Sequence, residues 1–125
     1  MSAYQEDNLE TLYNELKNIE ADIISTGLNM KTLGENEANA AADYEGRKNE
    51  YLIELYAEES EKVIKRTEAA RTALYRSAYK RERLAKNLAT NALNAERDYL
   101  RALQSVLMAK QSRAKILEAE RQFKN

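Results

Sequence analysis

The sequence predicts an all-α protein, either a long-helix coiled coil or an elongated helical bundle. Three observations indicate this class. The 125 residues include no proline and only three glycines, so few positions force a helix to end. The composition is rich in Ala, Glu, Lys, Leu and Arg, and apolar residues recur at helical spacing. The length allows one domain, and we expect residues 1–125 to form a single elongated helical domain.

The first helix is predicted over about residues 5–26. Its apolar residues follow alternating steps of three and four, which is the a/d seam of a coiled coil; they are Leu9, Leu12, Leu16, Ile19 and Ile23. Gly27 can adopt the left-handed conformation that ends many helices, and Gly34 follows seven residues later. We therefore expect residues 27–36 to form a connecting loop.

A long second helix is predicted over about residues 36–123. Asn and Thr residues favour helix ends over helix interiors, so a break near 86–91 into a third helix is the alternative. An unbroken helix of about 88 residues would span roughly 130 Å, and it must fold back or pair with other chains to bury its apolar stripe. Because no Gly or Pro lies near 86–91, a homo-oligomer is favoured over a single-chain three-helix bundle. The expected core or oligomer interface contains Leu9, Leu12, Leu16, Ile19, Ile23, Leu88, Tyr99, Leu103 and Val106.

The charges are strongly segregated although the net charge is only −1. Residues 1–61 carry 15 acidic and 4 basic side chains, whereas residues 62–125 carry 6 acidic and 16 basic ones. The two halves therefore have net charges of −11 and +10. Such asymmetry is typical of a half that binds a polyanion, or of pairing between the two halves.

The densest basic segment is a candidate for binding single-stranded nucleic acid. Lysines and arginines would contact phosphates, and interleaved tyrosines would stack on bases. The alternative is that the tyrosines pack in an interface and that the lysines and arginines face an acidic helix. The candidate residues are Lys62, Lys65, Arg66, Arg71, Tyr75, Arg76, Tyr79, Lys80, Arg81, Arg83 and Lys86.

The absence of histidine and cysteine argues against catalysis. It excludes Ser-His-Asp and Cys-His nucleophile systems and ordinary zinc and haem sites. Glu54, Glu58 and Glu61 share one helix face, but di-iron bundles also require Glu-x-x-His pairs. We therefore expect no enzyme activity, metal, cofactor or small-molecule substrate, and we interpret these glutamates as salt-bridge partners or as an acidic face for a protein partner.

The cellular location is predicted from three features that the sequence does not show: a signal peptide, a membrane span and cysteine. Its N-terminal residues are polar and acidic, unlike a signal peptide, and no apolar run approaches the roughly 20 residues of a membrane span. The absence of cysteine is compatible with a reducing compartment. We expect a cytoplasmic protein without membrane contact.

Three stretches resemble small helical proteins from the early and recombination gene blocks of tailed bacteriophages. They are Tyr44-x-x-x-Lys48-x-x-Tyr51, EKVIKRTEAARTALY at 61–75 and LQSVLMAKQSRAKILEAERQ at 103–122. Some of these proteins are similar to recombination mediators of the UvsY type. The resemblance covers about residues 40–121 and implies a helical oligomer in the host cytoplasm that binds single-stranded DNA and loads a recombinase. The alternatives are an inhibitor or adaptor that targets a host or defence enzyme through its acidic face, and a structural or scaffold component.

Overall fold

The all-α class is confirmed. The structure is a computed structural model that describes residues 2–62 and 66–124, with the side chains of 8–62 and 66–123. It contains α1 (Ser2–Lys62), α2 (Glu68–Ala78) and α3 (Lys80–Lys124). None of the described helices has an apolar window long enough to cross a membrane.

The expected connecting loop at 27–36 is wrong, because α1 continues through both glycines. Neither Gly27 nor Gly34 has a positive φ. The apolar seam does not stop at Ile23: Thr26 is 5% exposed, and Met30 and Leu33 are half-buried at the next seam positions. A glycine inside a helix costs only about 1 kcal/mol relative to alanine, so continued packing outweighs it.

The continuity of α1 predicts that alanine at Gly27 or Gly34 stabilises the protein. A Cβ built at either position meets no atom within 4 Å, so only the unfolded chain loses conformational freedom. We expect each substitution to raise the free energy of unfolding by about 0.4–1 kcal/mol, measured by urea denaturation. The control Ala21→Gly, at an exposed position of α1, should have the opposite effect. Destabilisation by Gly27→Ala would instead support a left-handed glycine at a helix end.

The interruptions lie elsewhere than expected. The predicted helix over 36–123 is broken before α2 and again at Tyr79, whereas α3 runs unbroken through 86–91. Thr67 caps α2, since its side chain accepts a hydrogen bond from the Ala70 amide at 3.2 Å, as N-cap threonines do. Tyr79 has φ −116° and ψ 31°, so a single residue outside regular helical geometry separates α2 from α3.

The chain therefore folds back on itself without glycine or proline at its turns. It divides into two compact units, unit 1 with Met1–Lys31 and Asn94–Asn125, and unit 2 with Thr32–Leu93. Each unit thus combines a stretch of α1 with a stretch of α3. Helix packing occurs within one chain, and the expected homo-oligomer stays a prediction.

Unit 1 is an antiparallel pair of helical segments. Asn29 donates a hydrogen bond to Glu96 at 2.8 Å, Lys110 forms an ion pair with Glu15, and Tyr13 donates to Glu118. Partner numbers on α3 thus fall as those on α1 rise. The buried side chains between the two segments are Leu9, Leu12, Ile19, Thr26 and Ala114.

Unit 2 packs the second part of α1 against α2 and the start of α3. Leu55, Tyr79 and Leu93 form its buried apolar core, with 3%, 1% and 4% of their surface exposed. The carboxylate residue Glu59 is also buried, at 7%. A buried carboxylate requires a charged partner, and that partner comes from α2.

The residues expected in a core or oligomer interface separate into three groups. Leu9, Leu12 and Ile19 are buried, Leu16, Ile23 and Leu103 are half-buried, and Leu88, Tyr99 and Val106 are exposed at 68%, 50% and 44%. The side chains that α3 buries, Leu93 and Ala114, are 21 residues apart, which is a multiple of seven. They therefore lie on a different face of α3 from the three exposed residues, whose role between copies stays a prediction.

Candidate interaction site

An ion-pair cluster joins the end of α1 to the start of α2. Arg71 Nε donates to both carboxylate oxygens of Glu59, at 3.0 and 3.1 Å, and its Nη2 lies 3.0 Å from Oε2. Arg66 Nη2 lies 3.2 Å from Glu58 Oε1, and its Nη1 lies 3.8 Å from Glu59 Oε1. We call Glu58, Glu59, Arg66 and Arg71 the carboxylate clamp. Fork-shaped guanidinium contacts of this kind combine charge with fixed geometry.

The clamp changes the pKa values of its members. The hydrogen bond from Arg66 and the charge of Lys62 lower the pKa of Glu58. The hydrogen bond from Arg71 lowers the pKa of Glu59, although partial burial opposes it. The same bond raises the pKa of Arg71. All three shifts favour the ionised forms, so Glu58, Glu59 and Arg71 are charged at neutral pH.

Aromatic contacts surround Tyr79 in the centre of unit 2. The ring of Tyr44 meets it edge-on at 5.3 Å between centroids, and Tyr75 stacks on it at 5.6 Å. Burial is the main cause that raises the pKa of Tyr79. Lys86 lies over the Tyr44 ring at 4.7 Å. With 1% of its surface exposed, Tyr79 leaves no ring face for a base.

The eleven residues nominated for nucleic-acid binding are thus divided by the fold. Lys62 pairs with Glu58 at 3.5 Å, Arg66 and Arg71 belong to the carboxylate clamp, and Lys86 lies over Tyr44. Tyr75 is half-buried, and Lys65 lies outside the described residues. Four basic residues keep an exposed or half-exposed side chain and form no ion pair with any other described residue. They are Arg76, Lys80, Arg81 and Arg83.

Two of these basic residues, Lys80 and Arg81, border a surface groove of about 730 Å³ in unit 2. The groove lies where α2 meets α3 and also includes Arg47 of α1. Its apolar lining is unusually exposed, with Leu84 at 49% and Leu88 at 68%. We call it the basic groove because three of its four charged residues are basic. Its principal residues are Arg47, Ser77, Lys80, Arg81, Glu82, Leu84 and Leu88.

The acidic face nominated on α1 is divided in the same way. Glu58 is half-buried within the carboxylate clamp. Glu54 and Glu61 are exposed and form no ion pair with the described residues. No group of three or more acidic side chains within the described part of the chain is arranged to hold a metal ion.

The fold also cancels the charge segregation along the sequence. Unit 2 carries eleven acidic and eleven basic side chains, and unit 1 carries ten and nine. The carboxylate clamp is the most buried instance of this pairing, and the acidic face predicted from the sequence does not include its most buried member, Glu59. The adjacent Glu58-Glu59 pair, followed within twelve residues by Arg66 and Arg71, is the signal from which it could have been found.

Fold and site together define an all-α protein whose long helices pack within one chain and expose a basic groove. Compared with protein-family models, curated proteins and solved structures, the chain has no significant match.

Proposed function

We propose that the protein is a non-enzymatic binding protein that contacts single-stranded nucleic acid. The contact surface is the set of four basic residues Arg76, Lys80, Arg81 and Arg83, which form no ion pair with any residue that the structure describes. It is smaller than the surface expected from sequence, because the carboxylate clamp and Tyr44 engage the other bases that the structure describes.

The observation that carries the proposal is the contrast between paired and unpaired bases in unit 2. Arg66 and Arg71 have carboxylate partners within 3.2 Å, so a phosphate would have to displace an existing ion pair. Arg76, Lys80 and Arg81 are exposed on α2 and α3 and need no such exchange. When lysines and arginines without carboxylate partners bind phosphates, counterions are released from the nucleic acid, and this release is the main driving force for non-specific association.

The test is fluorescence anisotropy with a labelled polythymidine strand. Binding at low salt should weaken steeply as salt rises, with a slope in log affinity of about −3 if all four bases contact phosphates. The double variant Arg76→Gln/Arg83→Gln should reduce the slope by about 1.4. Neither residue lines the basic groove, so the effect is separate from any role of that groove.

The matched control is Arg97→Gln/Arg101→Gln in unit 1, which removes the same charge from exposed positions of α3. It should leave the salt slope close to that of the wild type. An equal reduction by both double variants would show that overall charge, not this surface, governs binding. Failure of the wild type to bind the strand at low salt would contradict the proposal.

A role beside a recombinase remains what the bacteriophage resemblance implies. The alternative of an acidic docking face for a host enzyme has less support, because Glu58 already pairs with Lys62 and Arg66.

A further inference from the structure

The basic groove has the chemistry of a protein-binding surface. Leu84 and Leu88 are separated by one helical turn and expose about half or more of their surface, with Lys80 and Arg81 on the same helix. Single-stranded nucleic acid stacks its bases on aromatic rings, which this lining does not provide. Adjacent exposed apolar side chains with a charged rim are typical of protein contacts. The matching surface must carry apolar side chains beside carboxylates.

Such a surface occurs on α1 of the same unit. Ile53 is 70% exposed, and Ala57 lies one turn further along the same face. Glu54 and Glu61 border them, both exposed and without an ion pair among the described side chains. We call Ile53, Glu54, Ala57 and Glu61 the acidic strip. Its charges and its apolar centre are complementary to those of the basic groove.

The strip and the groove adjoin on one helix face. Arg47, Glu54 and Glu61 follow at intervals of seven residues, which places them on the same side of α1. Arg47 lines the groove, and the two glutamates follow about 10 and 21 Å further along the helix. Arg47 also pairs with Glu50 at 3.5 Å, so the lysine and arginine of α3 supply most of the positive charge at the groove end of the patch, and the two glutamates supply the negative charge at the other end. A patch of this kind is complementary to a second copy of itself rotated by a two-fold axis.

We propose that two copies of the chain form a closed dimer in which the basic groove of each copy receives the acidic strip of the other. This inference goes beyond nucleic-acid binding and uses only residues of unit 2. Each of the two contacts extends over only a few helical turns, whereas stable interfaces bury roughly 1,200–2,000 Å² in total. The dimer is accordingly weak and salt-sensitive, and nucleic acid competes with the second copy for Lys80 and Arg81.

The test is light scattering at low ionic strength and high protein concentration, without nucleic acid. The wild type should have twice its 14.4 kDa chain mass and return to a monomer in high salt. Two charge-reversal variants should each be monomeric, because the groove of each copy would then face a strip of the same charge. They are Lys80→Glu/Arg81→Glu and Glu54→Lys/Glu61→Lys. An equimolar mixture of the two variants should regain the dimer, since each reversed surface meets its complement.

Circular dichroism verifies that every variant keeps its helicity, and Arg97→Glu/Arg101→Glu in unit 1 should dimerise like the wild type. A wild-type monomer, a mixture that stays monomeric, or assemblies larger than a dimer would each overturn the proposal. If the wild type is monomeric and Lys80→Glu/Arg81→Glu loses strand binding, the groove belongs to nucleic acid instead. Because the mass is measured without a strand, this result is independent of the Arg76 and Arg83 experiment.

Discussion

Replacing Tyr79 with alanine is expected to lower the free energy of unfolding by about 3–5 kcal/mol, as for other buried aromatic residues. Tyr79 is the most buried large side chain in the described part of the chain, with 1% of its surface exposed. Its ring contacts Tyr44 edge-on and Tyr75 face-to-face. Truncation would leave a cavity where α2 meets α3 and remove both aromatic contacts.

Urea denaturation measures this loss, and Tyr79→Phe is its matched control. Phenylalanine keeps the ring and both aromatic contacts, so its cost should be about 1 kcal/mol or less. A thermal midpoint lower by about 10 °C or more is expected for Tyr79→Ala. Equal effects of alanine and phenylalanine would show that the hydroxyl, and not the packed ring, matters.

Neutralising Glu59 is the second large change. Glu59→Gln keeps the shape of the side chain but removes the charge that Arg71 contacts through two nitrogen atoms. Arg71 would then lack a counter-charge in a partly buried position, which is strongly unfavourable, whereas Arg66 keeps its ion pair with Glu58. The thermal midpoint at neutral pH should fall clearly more than for Glu54→Gln, which neutralises an exposed carboxylate that has no ion pair among the described side chains.

The same clamp predicts how stability depends on pH. Because the pKa values of Glu58 and Glu59 are lowered from 4.5, their stabilising contribution is complete above about pH 4.5. It is lost as the pH falls through the lower pKa values of the folded protein. Thermal unfolding between pH 7 and pH 3 should show a smaller acid-induced loss in Glu59→Gln than in the wild type. A loss as steep in the variant as in the wild type would exclude Glu59 as a source of this dependence.

The sequence predicts the helical class because the evidence for it is local. The seam from Leu9 to Ile23 needs only a regular spacing of apolar residues, and its burial follows the expected face of α1. The predicted loop at 27–36 is wrong because the apolar seam continues through Thr26, and its burial outweighs the weak helix-breaking effect of Gly27 and Gly34. A glycine permits a helix end but does not impose one.

The face of α3 that packs could not be chosen from the sequence. One stripe contains Leu84, Leu88 and Tyr99, and another contains Leu93 and Ala114; both have helical spacing. Only the position of α1 after the chain folds back decides which stripe is buried. That fold-back occurs between α1 and α2, where the sequence has no glycine or proline.

The positive charge of the candidate site can be predicted from the sequence, but the residues that form the site cannot. The many lysines and arginines between Lys62 and Lys86 make this the most positively charged segment of the sequence. Which bases remain unpaired depends on contacts such as Glu59 with Arg71, which lie twelve residues apart on different helices. Such contacts follow from tertiary packing and not from local spacing.

The central claim is that the acidic half of the chain pairs with the basic half of the same chain. A double-mutant cycle on Glu59 and Arg71 tests it most directly, with urea denaturation at a concentration where light scattering gives a mass of 14.4 kDa. We predict that Glu59→Gln and Arg71→Gln each destabilise the monomer, and that the double variant loses clearly less than their sum. Additive losses in the monomer would contradict the claim, because they would show that the two residues do not interact within one chain.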